Sequence, residues 1–170
     1  MESALPHLRS PAAAALIPFL NPGVMLVPVP RSAPLADGAL WPAKVIADIL
    51  AAGGFGGAVL PCIERSSAVR KSSSSPAKER PSVAEHYESL AVPPRLIRPA
   101  QITLVDDVLT QGRTVFACAM RLAEAFPDAQ IRCFAMVRTQ GFVENIEQII
   151  EPCTGVVHFY ENSGKTFREP

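Results

Sequence analysis

The chain sets short, unbroken apolar runs between segments of helical spacing. Residues 24–30 (VMLVPVP) are continuously apolar over the length of a strand. Such a run predicts a strand covered on both faces, as in a parallel sheet. Pro28 and Pro30 cannot donate to a ladder, so they put this strand at an edge or end it early. After a turn segment over 31–40 the period changes. Val45, Ile46, Ile49 and Leu50 recur as one helical stripe, with Pro42 in the first turn and Gly53 and Gly54 as the stop. Residues 58–63 predict a second short strand. A third, 102–105, ends in Asp106 and Asp107. A helix follows from about 113 to 126, with Val115, Ala119, Leu122 and Phe126 on one face and Pro127 and Asp128 at its end. Residues 131–137 predict another strand. Strand, helix and strand in this order make a right-handed parallel βαβ unit over 101–139. The tail predicts a helix over 143–150 and a last strand over 156–160; residues 1–23 predict at most a short helix over 12–16. The pattern is that of an α/β fold, a mostly parallel sheet flanked by helices.

Composition bounds this picture. A chain of 170 residues, 48% apolar and 19% charged, is suited to one globular domain. No apolar run reaches the ~18 residues a membrane-spanning helix requires. Fourteen of the 17 prolines precede residue 100, so the first half is expected to be loop-rich. The four cysteines, at 62, 118, 133 and 153, form no CxxC pair, and there are only three histidines. A zinc cage and a disulfide framework are both disfavoured. The cysteines read as small buried apolar groups in a reducing compartment, hence the cytoplasm. Arg9 and the apolar stretch 11–20 have the outline of an export signal. Glu2, His7 and Pro18, with no small-x-small cleavage site, argue against one.

Sixteen cations balance sixteen carboxylates, so overall charge argues against a nucleic-acid partner. The balance is uneven, however. Residues 64–80 hold five cations (Arg65, Arg70, Lys71, Lys78, Arg80) against Glu64 and Glu79, a net +3 on a mildly acidic body. The stretch 64–88 is serine-rich and predicts a flexible basic loop, the kind of segment that often forms a lid or binding loop. His86 reads as a surface or capping residue, and Trp41 as core.

The run ITLVDDVLTQGRT, 102–114, carries the candidate chemistry. Its strand delivers Asp106 and Asp107 to the carboxyl end, which faces the ligand crevice in open α/β sheets. Gly112 permits a positive φ or a close backbone approach. The helix start beyond it offers free amides to a phosphate, and Thr110 and Thr114 add hydroxyls. Carboxylates that accept from sugar hydroxyls or sit near a hydrated Mg²⁺, beside a phosphate cradle, describe a ribose 5-phosphate site.

This run resembles the 5-phosphoribosyl 1-pyrophosphate (PRPP) signature of the type I phosphoribosyltransferases. The VPVP segment brings the likeness nearest to the competence-protein-F-like subgroup. The resemblance implies a type I phosphoribosyltransferase core with a small hood, here residues 1–23. It implies that Asp106 and Asp107 hold the ribose hydroxyls and, indirectly, Mg²⁺. Leu109, Thr110, Gln111, Gly112, Arg113 and Thr114 would wrap the 5-phosphate. Gln111 departs from the Thr or Gly common at that position. Arg31 and Ser32 are the candidates for pyrophosphate, although the Arg-Gly-Phe-Asn-like segment and the zinc element of the subgroup are absent. Lys71 and Arg80 of the basic loop would stabilise the departing pyrophosphate. The implied activity is transfer of a phosphoribosyl group to or from a nucleobase or amine by a homodimer. The same scaffold also serves non-catalytic nucleotide-binding regulators and proteins of DNA uptake.

Overall fold

The computed structural model describes residues 5–70, 80–139 and 152–169. In chain order, a short helix α1 (Leu5–Leu8) and a 3-10 helix (Pro11–Leu16) lead into strand β1 (Asn21–Pro28), helix α2 (Pro42–Ala52) and strand β2 (Gly56–Val59). A two-residue strand β3 (Glu64–Arg65), helix α3 (Val83–Glu88) and strand β4 (Leu90–Ala91) precede the unit formed by β5 (Gln101–Leu109), α4 (Arg113–Ala125) and β6 (Gln130–Arg138). Strands β7 (Val156–Tyr160) and β8 (Lys165–Glu169) close the chain.

Among the described residues the main sheet has four strands in the order β2-β1-β5-β6, and every pairing in it is parallel. Each face carries its own core. Val115, Cys118 and Leu122 of α4 meet Val27, Ile102 and Leu104 on one side. Ala47 and Leu50 of α2 meet Val24, Leu26 and Val105 on the other. The α/β reading and the boundaries of the βαβ unit therefore hold. No helix among the described residues is long and apolar enough to cross a membrane.

Four details differ from expectation. β1 is an interior strand, and its prolines act by ending it: Pro28 is its last residue, and Val29 then donates to the Val105 carbonyl at 2.8 Å. In α2 the side that meets the sheet is Ala43, Ala47 and Leu50, while Val45 is exposed. Close approach of helix to sheet favours the small alanines, which a search for bulky side chains passes over. β8 was not predicted, because KTFRE buries a threonine and half-buries an arginine where an apolar alternation is expected. The stretch 64–88 is less of a loop than predicted, since β3 and α3 form its two ends. The helix predicted over 143–150 lies outside the described residues.

The N-terminal segment is fastened to the sheet by hydrogen bonds and an apolar face. Arg9 donates to the Gly53 carbonyl and Thr103 to the Phe19 carbonyl. Leu5, Leu8, Leu16 and Phe19 pack on the α2 side of the sheet. Gly53 and Thr103 lie toward the amino ends of β2 and β5, while Leu8, Leu16 and Phe19 also share a cavity wall with Met136, Val137 and Arg138 of β6. The element near the acids' end is the β7–β8 hairpin, whose Phe159 stacks on Phe116 of α4.

Candidate active site

β1 and β5 are neighbours, with Pro28 opposite Val105. From β1 the chain crosses to β2 on one side; from β5 it crosses to β6 on the other. The gap between their carboxyl ends is thus a topological switch point, the place where open α/β sheets bind ligands. Two segments from the sequence meet there: 29–32 after β1, and 106–114, which comprises the last four residues of β5, the turn beyond them and the start of α4.

The first segment is held by the backbone. Trp41 Nε1 donates to the Val29 carbonyl at 2.7 Å, so the indole braces the rim and is not a stacking platform. Val69 N donates to the Ser32 carbonyl at 2.7 Å. Arg31 is exposed and Ser32 half-buried.

In the second segment the alternation of β5 puts Asp106 on the α4 side, in line with Ile102 and Leu104. Asp107 points the other way and is exposed. Burial, and then the Asp107 charge, push the Asp106 carboxyl up to about 7. Asp106 Oδ1 accepts from Asp107 N at 3.0 Å and Asp107 Oδ1 from Val108 N at 2.9 Å. Each carboxylate keeps capacity for a ligand hydroxyl.

Gly112 is the N-cap of α4 at φ 81°, and no side chain caps the helix. The first amides of α4 have no carbonyl one turn earlier to meet them. Glycine is required here for a second reason. A Cβ at this position would lie 2.8 Å from Val157 Cγ1 of the hairpin. Thr110 and Gln111 remain partly exposed, so the turn is not sealed. Gln111 Oε1 is buried with no partner among the described residues. The Leu109 carbonyl accepts from Thr139 N and from Arg168 Nη1, both at 3.0 Å, which ties the loop to β6 and the hairpin.

The side chains of Arg113 and Thr114 turn inward. Arg113 Nη1 donates to the carbonyls of Arg80 and Pro81 at 3.0 and 3.2 Å. Thr114 Oγ1 lies 3.2 Å from His86 Nε2. Their side chains thus fasten the return of the basic segment onto α4, which leaves their backbone amides, not their side chains, at the helix start. Arg80 itself lies in the wall of a cavity of about 590 Å³ together with Arg70, Glu85 and Glu88. A larger cavity of about 850 Å³ follows β6 and is lined by Phe116, Ile131, Cys133 and Val157. Neither wall includes Asp106, Asp107 or residues 110–114, which lie as a shelf along the rim of the sheet with Asp107 exposed, Gly112 buried and the others half-buried. Lys71 lies outside the described residues.

His86 is a correction. Only 2% of it is exposed, and it lies on the buried side of α3 with Val83. Burial, with Arg65 and Arg113 adding to it, brings its pKa down to about 4 against the pull of Glu85. The signal was in the sequence. Ser82 and Glu85 form a capping box that starts α3 and sets His86 three residues after Val83, on the same face. Of the cysteines, Cys62 and Cys118 are buried as expected, but Cys153 is exposed.

Asp106 and His86 act on stability in opposite senses. The Asp106 pKa is raised from 3.8 to about 7, so its contribution is full below about pH 4 and is lost as pH rises toward 7. The His86 pKa is lowered from 6.5 to about 4, so its contribution is full above 6.5 and is lost as pH falls toward 4. The first is on the order of 4 kcal/mol and the second on the order of 3 kcal/mol. Wild-type melting temperature should therefore change little on their account between pH 4 and 6.5. Asp106→Asn should leave a stability that rises over this interval, and His86→Gln one that falls. Thermal denaturation at half-unit pH steps reads both slopes.

No model of a known protein family matches the chain, and no curated protein matches it.

Proposed function

We propose that the protein is a phosphoribosyltransferase. It binds PRPP with Mg²⁺ at the shelf between β1 and β5 and transfers the phosphoribosyl group to or from a nucleobase or amine. One observation carries the reading: the two acids and the uncapped glycine-led start of α4 stand together at the switch point, beside the rim of β1. That arrangement suits a ligand with vicinal hydroxyls at one end and a phosphate at the other.

In this reading Asp106 and Asp107 accept from the ribose hydroxyls, and the amides at the start of α4 hold the 5-phosphate. Arg31 and Ser32, continuing from β1, face the pyrophosphate. Among the described residues no three His, Cys, Asp or Glu side chains gather as a metal cage. The exposed Asp107 carboxylate, with Asp106 acting through the ribose or a water, nevertheless suits Mg²⁺, which keeps most of its waters and asks for one or two carboxylates beside substrate phosphates. When bound, the metal neutralises charge on the departing pyrophosphate. The protein fixes the sugar and orients its anomeric carbon toward the acceptor. Arg80, next to the carbonyls that Arg113 holds, is the described cation best placed to draw the basic segment toward that charge.

The reaction is tested by pyrophosphate release from PRPP across a panel of bases and amines. Turnover with at least one acceptor is the expected result. Retained PRPP binding without turnover would make the protein a non-catalytic regulator.

A further inference from the structure

We propose that Arg65 is the buried positioning cation of the pyrophosphate subsite, holding the Arg31–Ser32 rim in place and directing an uncompensated positive charge to the anion bound there. The inference rests on the phosphoribosyltransferase reading and adds a residue that neither the sequence pattern nor the resemblance assigns.

Arg65 is 6% exposed, an unusual place for a guanidinium. Among the described residues no carboxylate forms an ion pair with it. Burial draws its pKa down, the mark of a cation short of compensation. Its contacts are neutral. Nε donates to the Arg31 carbonyl and Nη1 to Ser89 Oγ, and that hydroxyl donates in turn to the His86 carbonyl at 2.7 Å. Nη2 is buried and has no partner among the described residues. The strand that carries Arg65 is fixed as well, with Ser66 N donating to the Ser89 carbonyl at 2.9 Å.

A buried charge without a counter-ion costs several kcal/mol of desolvation. Stability alone does not explain it, because an apolar side chain of the same length fills the space without that cost. An anion near Arg31 would supply the missing counter-charge. The bond from Nε to the Arg31 carbonyl puts the guanidinium directly behind the rim on which a pyrophosphate would rest. In this low-dielectric setting its field acts on the ligand with little screening.

The test compares three probes on Arg65→Met, with Arg65→Lys as the conservative variant: PRPP, inorganic pyrophosphate and ribose 5-phosphate, each with Mg²⁺ and read by calorimetry. Arg65→Met should lose about tenfold to a hundredfold affinity for PRPP and pyrophosphate, the range of a charge-assisted hydrogen bond. Its affinity for ribose 5-phosphate, which uses the acids and α4, should stay within about twofold. Arg65→Lys should recover part of the loss. The ligand-free melting temperature should not fall, since Ser89 Oγ keeps its acceptor and the carbonyl of exposed Arg31 can turn to water. Equal losses for all three ligands, or a melting temperature that drops in step with them, would overturn the proposal in favour of a scaffold role. So would unchanged PRPP binding. Failure of the wild-type protein to bind PRPP and ribose 5-phosphate would instead remove the underlying reading, and this inference with it.

Discussion

Replacing Asp106 and Asp107 together by asparagine is expected to abolish PRPP binding and leave the fold intact. The loss is large because each carboxylate, Asp106 once ionised above about pH 7, is a charged acceptor for a ribose hydroxyl, and a charge-assisted hydrogen bond is worth about 1.5–3 kcal/mol. Two of them correspond to roughly a hundredfold to ten-thousandfold in affinity. The fold survives for reasons visible in the structure. Asparagine keeps the Oδ1 acceptor that Asp106 offers to Asp107 N and that Asp107 offers to Val108 N. Among the described residues Asp106 forms no ion pair, and burial disfavours its charged form. The double variant should therefore melt no lower than wild type near pH 7. Calorimetric titration with PRPP–Mg²⁺, beside a melting curve, separates the two effects. An asparagine pair that binds PRPP as wild type does would remove the acids from the site.

Gly112→Ala should be the most damaging single change to the loop. Two costs add. A φ of 81° is left-handed, which disfavours an L residue by about 1–2 kcal/mol. The new methyl would also press on Val157 at 2.8 Å, and overpacking costs about 1–3 kcal/mol. A total of about 2–5 kcal/mol lowers the melting temperature of a chain this size by roughly 4–20 °C. Val157→Ala in the same chain should recover the crowding share and leave the backbone share. Relief of the whole deficit would show that left-handed geometry matters little here, and no deficit in Gly112→Ala would show that the loop does not hold its turn against the hairpin. In either background ribose 5-phosphate should bind more weakly, because the amides beyond residue 112 move with the turn.

The parts of this molecule legible in its sequence are those where one physical rule acts alone. VMLVPVP is apolar because β1 lies between two strands, and its prolines stop it. Val115, Leu122 and Phe126 mark the buried side of α4 without ambiguity. The acids and Gly112 stand out because a strand end, a pair of charges and a helix start coincide within nine residues, 106–114. The rest depends on partners distant in sequence. His86 is buried because Thr114, Arg65 and Arg113 surround it, which a charge count does not show. Arg65 looked like one more cation of a basic loop until β3 paired with β4 and drew it inside. Arg113 and Thr114 sit inside the phosphate-loop motif, yet their side chains reach for Arg80, Pro81 and His86. Of the hairpin beside Gly112, β7 is legible as the strand expected over 156–160, whereas β8 is not, because Thr166 and Arg168 occupy positions where apolar residues signal a strand.

The central claim is that the shelf between β1 and β5 holds a phosphorylated ribose. Amide hydrogen exchange with and without PRPP–Mg²⁺ tests it most directly, because the amides at the start of α4 have no intrahelical acceptors and exchange freely until a phosphate covers them. Slowed exchange concentrated over residues 110–115, with a smaller effect over 30–32, is the predicted result. Exchange that does not change there, or slows only at a distant surface, would contradict it.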